Sequence, residues 1–157
     1  MPEAVATSMM GLGKVRMVRT KTSTIEPSNC ALAQRSSSES ASGALRAEIV
    51  RVLDRAGLTR RFTAIVAADD VAASKPAPEP YVRAVSLLSA ASRHPIAAAS
   101  CVAVEDSHWG IESARAAGLR TVAVTHSYDA AALGAADLVV SSLDALTVTD
   151  LRRLVSD

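Results

Sequence analysis

From Leu45 onward the apolar positions alternate between two periods. Leu45, Ile49, Val52, Leu53 and Ala56 fall at helical spacing, and Gly57 is a natural C-terminal stop. Residues 62–67 (FTAIVA) form a β-rich run. Pro76, Pro78 and Pro80 then mark a rigid loop leading into a helix that carries Tyr81, Val85, Leu88 and Ala91. Residues 101–104 (CVAV) and 121–124 (TVAV) are short and wholly apolar, as expected for strands buried on both faces. A helix from about residue 109 to Gly118 lies between them. Residues 138–140 read as a further strand and residues 146–155 as a closing helix. This regular alternation predicts an α/β fold with a mainly parallel sheet.

The first part of the chain lacks such order. Residues 1–29 keep no sustained period: residues 15–19 alternate for a few positions only, and Gly11, Gly13 and Pro27 punctuate the rest. The expected organisation is an irregular or disordered leader over 1–29 and a domain over 30–157. Ala31-Leu32-Ala33 can be the end of a short strand, running into the polar segment Ser36-Ser37-Ser38-Glu39-Ser40.

Composition narrows the function classes. The 157 residues suit one domain with a real core, and 49% are hydrophobic while only 3% are aromatic. The core must therefore be built from Ala, Val, Leu and Ile, which argues against aromatic stacking on single-stranded nucleic acid. The net charge of +1 selects neither nucleic acid nor a membrane surface. Residues 1–35 hold five Lys or Arg against two Glu, whereas residues 36–157 hold twelve basic and fourteen acidic residues. The basic character thus belongs to the leader. Cys30 and Cys101 stand in no metal-ligand spacing and read as free thiols of a reducing, cytoplasmic compartment. No apolar run reaches the roughly 18 residues of a membrane span.

In parallel sheets, ligands gather at the carboxyl ends of the strands, so the polar residues just after each strand carry the candidate chemistry. After CVAV comes Glu105-Asp106-Ser107-His108-Trp109-Gly110. Two adjacent carboxylates at a strand end, followed by a small residue and a glycine, suit a hard divalent cation such as Mg²⁺. One of them can equally cap the following helix. After FTAIVA comes a stretch ending in Ser74-Lys75-Pro76-Ala77-Pro78-Glu79-Pro80. A lysine beside prolines suits a point charge aimed at a phosphate, although a solvated loop lysine is the commoner case. Asp69 and Asp70 suit a turn or cap. His108, Trp109 and His126 lie near strand ends, where each can line a pocket or simply pack.

Taken together, FTAIVAADDVAASKPAPEPY and, about thirty residues on, VAVEDSHWGIESARAAGLRTVAV resemble the haloacid dehalogenase superfamily, in its β-phosphoglucomutase-like and phosphoglycolate-phosphatase-like branch. The resemblance covers the chain from about residue 45 to the end. It implies a Rossmann-like three-layer sandwich and a Mg²⁺-dependent phosphatase or phosphomutase. The substrate would be a small phosphorylated metabolite, with neither nucleic acid nor membrane as partner. By this resemblance Lys75 looks like the lysine that neutralises the nucleophile and the transferring phosphoryl group. Asp106 looks like the direct Mg²⁺ ligand, with Glu105 as a further ligand or its partner. Ser36 or Ser37 would match the hydroxyl that binds a phosphate oxygen.

The family's reaction runs through an aspartyl-phosphate formed on the first aspartate of an Asp-x-Asp-Gly segment, with the second as general acid and base. No Asp-x-Asp occurs in this sequence, and its first aspartate is Asp54. The helical cap inserted between the first two motifs of this branch is also missing. The resemblance therefore implies an incomplete sheet, lacking its central first strand between the strand before the serines and the strand before Glu105. Residues 15–19 could fill the gap only by placing alternating arginines on a buried strand, so the gap is expected to stay open. Two readings follow: a phosphatase inactive by truncation, or a non-catalytic phosphate/Mg²⁺-binding or protein-interaction module. An upstream in-frame Asp-x-Asp-Gly segment would favour the first.

Overall fold

Two glycines set the punctuation that the helical half of the fold depends on. Gly57 and Gly118 adopt φ of +65° and +80°, a left-handed conformation that costs a glycine little. Each lies just past a helix, and the residues after it close the same pair of bonds. Gly57 N–H and Leu58 N–H donate to the Asp54 and Leu53 carbonyls, while Gly118 and Leu119 donate to Arg115 and Ala114. The chain is thereby turned back from each helix into the next strand.

The structure, a computed structural model, describes residues 45–92 and 94–156 and the strand segments 3–9, 14–20 and 30–34. Its elements are β1 (Glu3–Met9), β2 (Lys14–Thr20), β3 (Cys30–Gln34), α1 (Arg46–Arg55), β4 (Ala64–Val66), α2 (Glu79–Ser92), β5 (Cys101–Glu105), α3 (His108–Ala116), β6 (Arg120–Val124), β7 (Leu138–Val140) and α4 (Val148–Val155). The seven strands form one sheet in the order β4-β3-β2-β1-β5-β6-β7. Pairing is parallel for β3/β4, β1/β5, β5/β6 and β6/β7, and antiparallel on both sides of β2. The sheet is mainly parallel, as expected.

Alternation along the strands sorts the core into two faces. On one face Val66, Cys101 and Ala103 pack with Tyr81, Ala84 and Leu88 of α2 and Ala114 of α3. On the other, Val102, Val104, Val122 and Val124 meet Leu151 of α4, while Ile49 and Leu53 of α1 cover Ala67 and Ile65. Helices on both sides of the sheet make the three-layer α/β sandwich. Every residue of β5 is buried, which explains its uninterrupted apolar run up to Glu105.

The sheet differs from expectation at its centre. The sequence pattern gives an irregular leader over 1–29 and an open gap between β3 and β5. The structure instead has β1 and β2 paired antiparallel from Glu3↔Thr20 to Met9↔Lys14. This hairpin bridges the gap: β1 aligns Val5 with Val102 of β5, and β2 aligns Arg16 with Leu32 of β3. The physical reason lies in the backbone. Inner edges of β3 and β5 would otherwise leave rows of unmatched donors and acceptors, and a paired hairpin satisfies them.

Candidate phosphate- and metal-binding site

The site begins where β5 runs out. Strand alternation sends the side chains of Glu105 and Asp106 to different surroundings, and both are buried, at 1% and 4% exposure. Ser107 follows as the N-cap of α3, its hydroxyl oxygen accepting the Gly110 N–H at 3.2 Å. The cap turns the chain sharply and fixes both carboxylates at the strand end.

Glu105 is surrounded by donors. Its Oε1 accepts from the buried Lys75 ammonium in a close ion pair, and from the Tyr81 hydroxyl at 2.7 Å. Its Oε2 accepts from the Ser107 hydroxyl at 3.3 Å. Gly110 completes the enclosure, because a Cβ there would lie 2.0 Å from the Glu105 carboxyl. The Lys75 ammonium also sits 5.1 Å from the centre of the Tyr81 ring, within reach of a cation–π attraction. Burial foremost, then the Glu105 charge and hydrogen bond and the Asp106 charge, push the Tyr81 phenol well above its ordinary range. Tyr81 therefore stays a donor.

The loop that presents Lys75 is tied down at both ends. Glu79, at the start of α2, accepts from the Ala72 and Ala73 N–H groups at 2.9 and 2.8 Å, which lowers its carboxyl below the ordinary range. The Ser113 hydroxyl of α3 donates to the Ala77 carbonyl at 2.6 Å. Lys75 is thus a fixed charge rather than a solvated loop lysine, with 6% exposure.

Asp106 has a different environment. Its Oδ2 accepts from the Ser127 hydroxyl at 2.7 Å. Its Oδ1 is buried without a hydrogen-bond partner among the described residues. A desolvated carboxylate oxygen left in this state is costly, and a cation is the kind of ligand that would complete it. The donor chemistry fits a hard divalent ion. Among the described residues no group of three or more His, Cys, Asp or Glu that could hold a metal ion is gathered.

Lys75, Glu105 and Asp106 are brought to one strand end as the sequence implies. Ser36 and Ser37 lie outside the described residues. Asp69 and Asp70 act as a turn and cap: Asp70 accepts the Ala67 N–H at 2.6 Å and pairs with Arg46, and Asp69 accepts the Arg46 N–H at 3.2 Å. His108 packs 4.4 Å from Trp109 and edge-on to Tyr128 at 5.2 Å, whereas His126 is exposed. Cys101 is a core residue whose thiol burial pushes up to about 12.

Sequence reasoning missed three contributors. Tyr81 reads as one more apolar helix position. Gly110, a poor helix former inside a helix, carried a signal of close packing. Ser127, in a plain turn 21 residues beyond Asp106, carried none.

Comparison with known proteins gives the family. Residues 40–124 match the family described as haloacid dehalogenase-like hydrolase. The chain is 36% identical over 98 residues to the chloroplastic 5-amino-6-(5-phospho-D-ribitylamino)uracil phosphatase of Arabidopsis thaliana, covering 62% of this chain and 25% of that protein. It is 40% identical over 105 residues to a plasmid phosphoglycolate phosphatase of Cupriavidus necator, covering 64% and 42%. The chain thus spans less than half the length of these relatives. The crystal structure of β-phosphoglucomutase from Clostridium difficile shares the fold, with a TM-score of 0.60 at 24% identity over 68% of this chain and 44% of that one. With more than half of its residues matched, the chain belongs to the haloacid dehalogenase-like hydrolase family.

Proposed function

We propose that this chain carries the phosphate- and metal-binding half of a Mg²⁺-dependent phosphatase or phosphomutase. Its substrate would be a small phosphorylated metabolite, processed through an aspartyl-phosphate. One observation carries the reading. A buried lysine is held by Glu105 directly beside Asp106, whose Oδ1 is buried and has no partner among the described residues. The names of the curated relatives, both phosphatases of small phosphorylated compounds, support the substrate class.

In this reading each residue has a separate task. Lys75 directs its ammonium at the phosphoryl oxygens, where a fixed charge in a water-poor setting acts more strongly than in bulk solvent. Glu105 keeps that ammonium charged and oriented, and with both its oxygens accepting from protein donors it serves as the lysine's partner rather than a metal ligand. Asp106 holds Mg²⁺, which when bound would offset the negative charge of phosphate and carboxylate. A hydroxyl of Ser36 or Ser37 would complete the phosphate contacts.

These residues bind and orient but include no attacking group, since the sequence has no Asp-x-Asp. This polypeptide alone is therefore expected to be inert. The same fact favours a second reading, a non-catalytic phosphate/Mg²⁺-binding or protein-interaction module. The test is hydrolysis of a generic aryl phosphate by the purified chain in Mg²⁺. No turnover above buffer is expected, and robust turnover abolished by Asp106→Ala would overturn the claim of inertness.

A further inference from the structure

Nothing in the sequence patterning marks Ser127, yet it is the one described residue that hydrogen-bonds the Asp106 carboxylate. Its placement is built rather than incidental. After β6 the Thr125 N–H donates to the Val140 carbonyl and the His126 N–H to the Val124 carbonyl, which fold the chain back over the strand ends. The next residue, Tyr128, packs against the buried cluster of Ile111, Ala123 and Leu133. Its ring also meets His108 edge-on, at the first turn of α3. The turn is thus anchored from β7, from α3 and from the core, and the hydroxyl it presents reaches Asp106.

From this arrangement we infer that Ser127 is a positioning residue for divalent-cation binding. Its hydroxyl holds Oδ2 of Asp106, which leaves the buried Oδ1 as the oxygen that would meet the cation. The inference rests on the reading of Asp106 as a metal ligand. A carboxylate on a single Cα–Cβ stem can rotate, and a hydrogen bond to one oxygen restricts that rotation in advance of binding. Partners that orient a metal ligand in this way typically contribute about 10- to 100-fold in metal affinity. The hydroxyl also removes one acceptor from competition, so the cation meets a defined oxygen.

Mn²⁺, which suits carboxylate ligands as Mg²⁺ does, provides the probe because its free form is counted directly by electron paramagnetic resonance. Titrations of the full chain would compare the unaltered protein with Asp106→Asn, Ser127→Ala and Ser127→Thr, alongside thermal melts of each without metal. We expect Asp106→Asn to abolish binding and Ser127→Ala to weaken it about tenfold, with a somewhat lower metal-free melt because Oδ2 loses its donor. Ser127→Thr, which keeps the hydroxyl, should restore the affinity. If Ser127→Ala binds as tightly as the unaltered chain while Asp106→Asn does not bind, the positioning role is overturned and the metal reading stands. If Ser127→Ala shifts the metal-free melt and Ser127→Thr fails to rescue binding, the residue is structural and the inference is overturned. If the unaltered chain does not bind Mn²⁺, or Asp106→Asn binds equally well, the metal reading fails and takes this inference with it.

Discussion

Glu105 and Asp106 are neighbours at the end of one buried strand, and the two sides of the site they open onto differ in completeness. On the Glu105 side, Lys75 from the proline loop, Tyr81 from α2 and Ser107 at the start of α3 all donate to one carboxylate, and Gly110 leaves room for it. On the Asp106 side, among the described residues, a single turn contributes one hydroxyl and the other oxygen has no partner. The first side is a closed structural unit that fixes a charge. The second is a partial one, stable only at the cost of a desolvated oxygen, which is the feature that the proposed cation binding would use. Adjacent residues of the same charge are thus given different surroundings, one fully paired and one partly so.

The largest expected effect lies on the closed side. Glu105→Gln preserves the shape but removes the negative charge facing a buried ammonium, and breaking a buried pair in this way costs about 3–5 kcal/mol. Denaturant unfolding followed by circular dichroism would measure it as a fall in the midpoint. A loss below about 1 kcal/mol, the value typical of a surface pair, would mean that the Lys75–Glu105 unit does not hold the site together. Gly110→Ala should come next. The added methyl lands on the Glu105 carboxyl, so either that side chain or the helix must shift, at about 1–3 kcal/mol for an overpacked interior. The same unfolding experiment checks it. Tolerance of alanine without loss would show that Glu105 has more freedom than its four neighbours suggest.

Much of the closed side could be read from the sequence. Lys75, Glu105 and Asp106 each follow an apolar run that ends in a strand, and a parallel sheet delivers such residues to one edge. The positions of β5, β6, β7 and α3 were fixed by the same apolar runs and by Gly118, whose positive φ ends the helix as its position implied. What could not be read depended on contacts across the fold. Ser127 reaches Asp106 only because β6 and β7 pair and Tyr128 seats in the core, none of which is local to the turn. Tyr81 looked apolar because its ring is, while its hydroxyl serves the site. The hairpin of β1 and β2 was illegible for another reason. Its alternation is brief, and its place in the sheet follows from unsatisfied backbone edges rather than from a pattern of side chains.

The smallest effect should come from Asp106→Asn, and its smallness is what separates the two sides. The amide has the shape of the carboxylate, and its oxygen can still accept from Ser127. The amino group would take the position of Oδ1, where no donor of the described residues is displaced. Losing the charge weakens the Ser127 hydrogen bond but also relieves the desolvation of a buried anion, two terms of similar size and opposite sign. The net change in stability should therefore stay within about 1 kcal/mol when unfolding is measured in chelator, so that no cation contributes. A cost near that of Glu105→Gln would mean that Asp106 is a structural carboxylate like its neighbour, with its unpartnered oxygen an accident of packing. A change near zero, together with the Glu105→Gln loss, would assign stability to one carboxylate and leave the other for the ligand.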